Sequence, residues 1–296
     1  TAHYGASAVG VSVDLAAGVG SGGDAEGDVL TAMENVYATN QNDTLVGDAA
    51  GNYFYAKDGD DSLVGGVGDD VLEGGAGADT LDGGDGNDSL TGGAGADMLA
   101  GGAGYDQAYY LNSSAAISLN LTTGVHTGDA EGDTFIDIER IWGTNFNDTL
   151  TGDDAANQLS GSTGNDLISG GSGNDSLYGH AGDDTLAGGD GNDTLLGGHR
   201  DDLLSGDEGA DELRGHEGND IIFFDADDTV VDGGAGFDSG FVATEDAVSI
   251  NLVSTGFERM FGNAGDDTFT AVGAGYEVAL YGGDGADHLT GGQSDD

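Results

Sequence analysis

Residues 65–109 read GGVGDDVLE, GGAGADTLD, GGDGNDSLT, GGAGADMLA, GGAGYDQAY, five nine-residue copies without a gap. Glycine fills the first, second and fourth positions of every copy. The sixth is aspartate: Asp70, Asp79, Asp88, Asp97 and Asp106. The eighth is apolar: Leu72, Leu81, Leu90, Leu99 and Ala108. Such a unit reads as a tight turn of about six residues followed by a short strand. Glycine lets the turn backbone reach positive φ and leaves its carbonyls uncovered. The eighth side chain then points inward. One unit cannot bury its apolar side chain alone, so the copies must stack. If two nonapeptides complete a coil, turns 18 residues apart share one edge. Neighbouring coils would then lie about 4.8 Å apart, the spacing of paired strands.

The pattern G-G-x-G-x-D-x-U-x resembles the calcium-binding nonapeptide of the RTX (repeats-in-toxin) family, and the resemblance covers most of the chain. It implies an all-β fold, a right-handed parallel β-roll or β-solenoid with calcium ions in rows along both edges. Calcium takes about six to eight oxygen ligands. Turn carbonyls and one aspartate per turn can supply them, with Asp70 near Asp88 and Asp79 near Asp97. The expected ligands are therefore the sixth-position aspartates. Through the first block these are Asp43, Asp61, Asp70, Asp79, Asp88, Asp97 and Asp106. Beyond it they are Asp148, Asp166, Asp175, Asp184, Asp193, Asp202, Asp211, Asp220, Asp238, Asp267, Asp287 and Asp296. With one leucine per nine residues the core is thin, so ion binding should be coupled to folding.

Outward from this stretch the chain reads as one continuous solenoid. Residues 1–46 form a wide coil: Val11-Ser-Val-Asp-Leu15 alternates as a one-sided strand, and an acidic glycine-rich hairpin loop follows. Residues 47–109 are the first nonapeptide block, which opens with Asn52 at a sixth position and Lys57 close by. Residues 110–151 repeat the wide coil, and residues 152–238 form the second block. Its phase slips where Thr229 falls at a sixth position. Residues 239–266 are a shortened wide coil without the acidic loop. Residues 267–296 begin a third block, with two extra residues before Asp287. Arg200 stands at a fourth position, where glycine is usual, and predicts a weakened edge site. Ala156 and Asn157 predict the same at the start of the second block.

The chain has 296 residues, 56 acidic against 5 basic, and a formal net charge of −51. This balance excludes nucleic acid and anionic membrane surfaces as electrostatic partners. Without a cation such a chain is expected to be disordered. There is no cysteine to form a disulfide, and no apolar run approaches the ~20 residues of a membrane span. No signal peptide opens the chain. The resemblance implies export through a one-step, type I-like channel to the cell surface or beyond. Joined tail to head, GGQSDD and TAHY align with GGAGYDQAYY at residues 101–110. This predicts further tandem copies or self-association.

Other motifs carry less. Residues 18–23 match G-x-G-x-x-G, but the acidic run DAEGD follows and would repel phosphate. Asp24, Glu26 and Asp28, with Asp129, Glu131 and Asp133, could hold an extra ion or form solvated turns. There is no H-E-x-x-H and no G-x-S-x-G, so no catalytic role is expected. His180, His199 and His216 fall on one edge and could form an imidazole ladder or three exposed turns. The residue after each aspartate varies, which argues against an ice-binding face. The resemblance implies a calcium-dependent segment of a secreted repeat protein, serving as scaffold, surface layer or adhesin. The alternative is the non-catalytic module of a secreted protease, lipase or polysaccharide epimerase.

Overall fold

The computed structural model describes residues 1–252, 255–272, 274 and 277–291. The chain is all-β: short parallel strands stack coil upon coil into a β-solenoid. Among the described residues helical structure is confined to brief 3-10 turns such as Gly23–Ala25 and Gly128–Ala130. Among the described residues no helix is long and apolar enough to cross a membrane. Two compact units are present, Thr1–Thr144 and Asn145–Asp296.

In the first unit successive strands alternate between two sheets. Tyr53–Asp58, Val71–Ala76 and Ser89–Ala94 lie in one. Ser62–Val67, Thr80–Asp85 and Met98–Ala103 lie in the other. Leu72 sits between Phe54 and Leu90, and Leu81 between Leu63 and Leu99, so the register is 18 residues as expected. These eighth-position side chains are buried between the sheets. Ninth-position side chains face outward, as the period of two in a strand requires.

The strands are longer than expected. Each regular strand spans six residues, from the seventh position of one copy to the third of the next, as in Val71–Ala76. Only three residues remain for the turn. The reason lies at the second position, where Gly75 and Gly93 have φ of 122° and 107° and still pair with each other. Positive φ bends the chain there without breaking the rung.

The wide coils depart from this plan. Ser12–Asp14 pairs in parallel with Thr44–Val46 and antiparallel with the hairpin strand Val19–Ser21. The second wide coil carries the sheet from Leu99 to Phe135, a step of 36 residues that includes the strands Gln107–Tyr109 and Ser118–Asn120. A tyrosine pins each loop: Tyr4 donates its hydroxyl to Asp28 at 3.0 Å and Tyr110 to Asp133 at 2.5 Å.

The second unit repeats the two-sheet plan, with Leu167–Ser172, Thr185–Asp190 and Leu203–Glu208 opposed by Ser176–Ala181, Thr194–His199 and Glu212–Glu217. A bulge between Asp238 and Ser239 then shifts the register, and Arg259 pairs with Ala279, a step of 20. Outward-facing Phe223, Phe241, Phe261 and Tyr281 stack in a column, with centroids 5.2, 4.5 and 4.7 Å apart.

Candidate metal centres

The sixth-position aspartates form a row along each edge. Asp70, Asp79, Asp88, Asp97 and Asp106 are all at most 2 % exposed. One oxygen of each is committed to the fold. Asp88 Oδ1 accepts the N–H of Asp70 at 2.8 Å, and Asp106 Oδ1 that of Asp88 at 2.7 Å. On the opposite edge Asp97 Oδ1 accepts the N–H of Asp79 at 2.8 Å. The second unit follows the same rule: Asp184 accepts from Asp166, Asp193 from Asp175, Asp202 from Asp184, Asp211 from Asp193, Asp220 from Asp202 and Asp238 from Asp220.

The second oxygen is different. Oδ2 is buried and accepts no hydrogen bond in Asp61, Asp70, Asp79, Asp88, Asp97 and Asp106, nor in Asp166, Asp175, Asp184, Asp193, Asp202, Asp211, Asp220, Asp238 and Asp267. An ionised carboxylate only accepts, and a buried acceptor without a partner is costly. Each Oδ2 therefore calls for a proton or a cation. In several turns it lies beside a carbonyl of the next coil. A Cβ built on Gly65 would meet both Asp70 Oδ2 and the Gly83 carbonyl, and one on Gly74 would meet Asp79 Oδ2 and the Gly92 carbonyl. Gly170 repeats this with Asp175 and Gly188. In these turns the first-position glycine keeps open a small space bordered by two oxygens, whereas Ala56 holds that position before Asp61.

Burial also raises the proton affinity of these groups. Desolvation lifts Asp202 to about 8, Asp97 and Asp166 to about 7 and Asp88 to about 6, against the partial relief of the backbone hydrogen bond each accepts. All the donors are oxygens, a set that suits calcium rather than a transition metal. Among the described residues no three histidine, aspartate or glutamate side chains gather tightly enough to hold an ion alone. Main-chain carbonyls would have to supply much of the coordination. The residues present fit calcium on that condition.

Several expected ligands stand apart. Asp43 has both oxygens engaged: Val11 N–H donates to Oδ1 at 2.6 Å and Thr39 N–H to Oδ2 at 2.8 Å. Asp148 is buried and donates its N–H to Asp166 Oδ1 at 2.8 Å. Asp287 is half-buried and accepts from Asp267 at 3.0 Å. Asp296 lies outside the described residues. Asn52 and Asn157 close their own turns, accepting from Asp48 at 2.9 Å and Asp153 at 2.8 Å. Arg200 takes φ of 81° and places its guanidinium 3.7 Å from Asp183, while Asp202 keeps its open Oδ2.

Four acids outside the nine-residue phase complete the rows. Asp133 accepts the Asp97 N–H at 2.9 Å, Glu139 that of Asp106 at 2.7 Å and Glu258 that of Asp238 at 2.7 Å. Where Thr229 stands at the sixth position, Asp228 accepts from Asp211 at 3.0 Å instead. A signal for two of them is in the sequence: Glu139-Arg-Ile-Trp142 and Glu258-Arg-Met-Phe261 share one pattern.

The acidic loops and the histidines behave otherwise. Asp28 and Asp133 hold tyrosines, and Glu26 accepts the Gly22 N–H at 3.0 Å, so these acids brace their loops. The imidazole ladder does not form. His180 and His216 share the second position but flank Gly198, two rungs apart. His199 sits at the third position and contacts Glu217 at 2.9 Å.

A family model described as RTX calcium-binding nonapeptide repeat (4 copies) matches residues 37–72, 73–108, 133–168, 160–195, 196–231, 254–271 and 279–296. A search of curated proteins finds no match.

Proposed function

Because the chain belongs to the RTX calcium-binding nonapeptide repeat family, we propose that it is a calcium-gated scaffold, a segment of a secreted protein that folds on reaching extracellular calcium and serves as a surface or adhesive element. What supports this reading is the row of buried Oδ2 atoms, several of them, as in Asp70, Asp79, Asp88 and Asp175, beside a carbonyl and a glycine that leaves room for an ion. When bound, calcium would supply the positive charge those oxygens require. The protein's own groups do the rest. Oδ1 holds the preceding coil by its N–H, Oδ2 and the turn carbonyls would hold the ion, and the first-position glycine, where present, keeps the space clear. The role is structural and non-catalytic.

Isothermal titration calorimetry tests the reading. Roughly ten calcium ions per chain should bind at about 10⁻⁴–10⁻³ M, and magnesium should not replace them because it demands a tighter octahedral shell. Absence of calcium binding, or equal binding of magnesium, would contradict it.

A further inference from the structure

In the first unit the outward ninth-position side chains form a column along one sheet: Tyr37, Tyr55, Glu73, Thr91, Tyr109 and Trp142. Rings crowd both ends. Tyr37 meets Tyr55 edge-on with centroids 6.3 Å apart, and Tyr109 stacks on Trp142 at 5.9 Å and 9°. Between the rings stand two rungs without one, Glu73 and Thr91. The surface there falls into a cleft of ≈ 440 Å³ with Tyr55 and Tyr109 at its ends. Gly75 and Gly93 lie in its lining, and Asn112, Ser113 and Asp129 reach it from the wide coil. Trp142 covers one face of Tyr109, so the other is turned toward the Thr91 rung and the cleft.

The dimensions and chemistry select a ligand. Tyr55 and Tyr109 are three rungs apart, about 14 Å at the spacing of paired strands. That is too wide to clamp one flat ring or to cage one ammonium group, and it suits an extended molecule lying along the sheet. Glu73, Asp58 and Asp129 line the cleft with carboxylates, which accept hydrogen bonds and repel anions. The one lining cation, Lys57, donates to the Ala38 carbonyl at 2.6 Å. The formal charge of −51 adds to the exclusion of anions. We propose that this cleft binds an uncharged oligosaccharide, whose hydroxyls donate to the carboxylates while a sugar C–H face lies on Tyr109. Size and lining fit the ordinary features of a small-molecule site, an apolar wall with a few convergent polar groups. This goes beyond the calcium reading and depends on it only for the folded state.

Trp142 is the only tryptophan in the chain and backs Tyr109, so its fluorescence reports on the cleft. The calcium-loaded chain is titrated with cellohexaose, mannohexaose and maltohexaose as neutral probes, trigalacturonate as an anionic one and choline as a cationic one. Calorimetry runs in parallel, and circular dichroism of the same samples establishes that they are folded. At least one neutral probe should give a saturable change that the charged probes do not. Thr91→Phe fills the rung beside Tyr109, covering the ring face a sugar would stack on, and should weaken binding at least about 10-fold. Glu73→Gln, a smaller change, should weaken it about 3-fold. The proposal is overturned if no neutral probe binds the folded chain, if a charged probe binds better, or if both variants bind as the parent does.

Discussion

A single oxygen atom sets the chemistry of each turn. Oδ1 of the sixth-position aspartate is spent on the neighbouring coil, and Oδ2 has no protein partner among the described residues. Asp88→Asn retains the acceptor for the Asp70 N–H but points an amide at the site bordered by the Gly101 carbonyl. It should raise the calcium midpoint for folding about 10-fold, the weight of one charged ligand. Asp287→Asn, at a half-buried position, should move the midpoint far less, and a calcium titration of both variants compares them. The glycines are not equivalent either. At the second position Lys57, Ser162, His180, Asp207 and His216 take φ of 67–88°, so other residues can stand there. A Cβ on Gly84 or on Gly86 would meet a carbonyl, of Gly66 or Gly68, but fourth-position Gly86 has φ of 149°, farther than Gly84 at 105° from the values those residues adopt. Gly84→Asn should cost about 1–2 kcal/mol, the adjacent coil shifting as it does beside Lys57 and His180. Gly86→Ala should cost on the order of 3 kcal/mol, measured by thermal unfolding in calcium.

At the scale of elements, the wide coils are anchored by buried tyrosine–aspartate bonds. Tyr110 is buried, and desolvation and the neighbouring Asp133 push its pKa well above the usual value, so the hydroxyl stays a donor. Tyr110→Phe leaves Asp133 without that donor and should destabilise the calcium-loaded chain by about 1–3 kcal/mol. Tyr4→Phe, which loses a longer bond at a half-buried Tyr4–Asp28 pair, should cost less. The nonapeptide blocks were legible in the sequence because glycine, aspartate and leucine recur at fixed steps. Stacking those steps dictates which residues meet, so the pairing of Leu72 with Leu90 and of Asp70 with Asp88 follows from counting. Asp133, Glu139, Asp228 and Glu258 fall outside the nine-residue count, so counting did not find them, although the shared Glu-Arg pattern marks Glu139 and Glu258. For the histidines the same counting left a ladder and three exposed turns both open. It put their turns on one edge but ignored that Gly198 separates His180 from His216. The six-residue strands were missed because the second-position glycine was read as turn when it continues the rung.

For the whole molecule the dominant fact is charge. A chain of −51 with rows of buried carboxylates resists compaction at neutral pH unless something neutralises them. Protons can stand in for metal. Burial in the fold raises Asp97, Asp166 and Asp202 from 3.8 to about 7, 7 and 8, chiefly through desolvation. A raised folded pKa means the fold binds protons more tightly than the unfolded chain. Its contribution is full below about pH 4 and is lost as pH rises through about 6 to 8. In excess chelator, strand signal should therefore grow on acidification, and a spectrum independent of pH would contradict this. Calcium should remove the dependence by holding the carboxylates ionised. The central claim, that calcium gates folding, is tested most directly by far-ultraviolet circular dichroism at neutral pH, first in excess chelator and then with calcium raised through about 10⁻⁴–10⁻³ M. The account predicts a disordered spectrum that becomes a strand spectrum as calcium is added and reverts when chelator is restored. A strand spectrum of equal strength in excess chelator would contradict it.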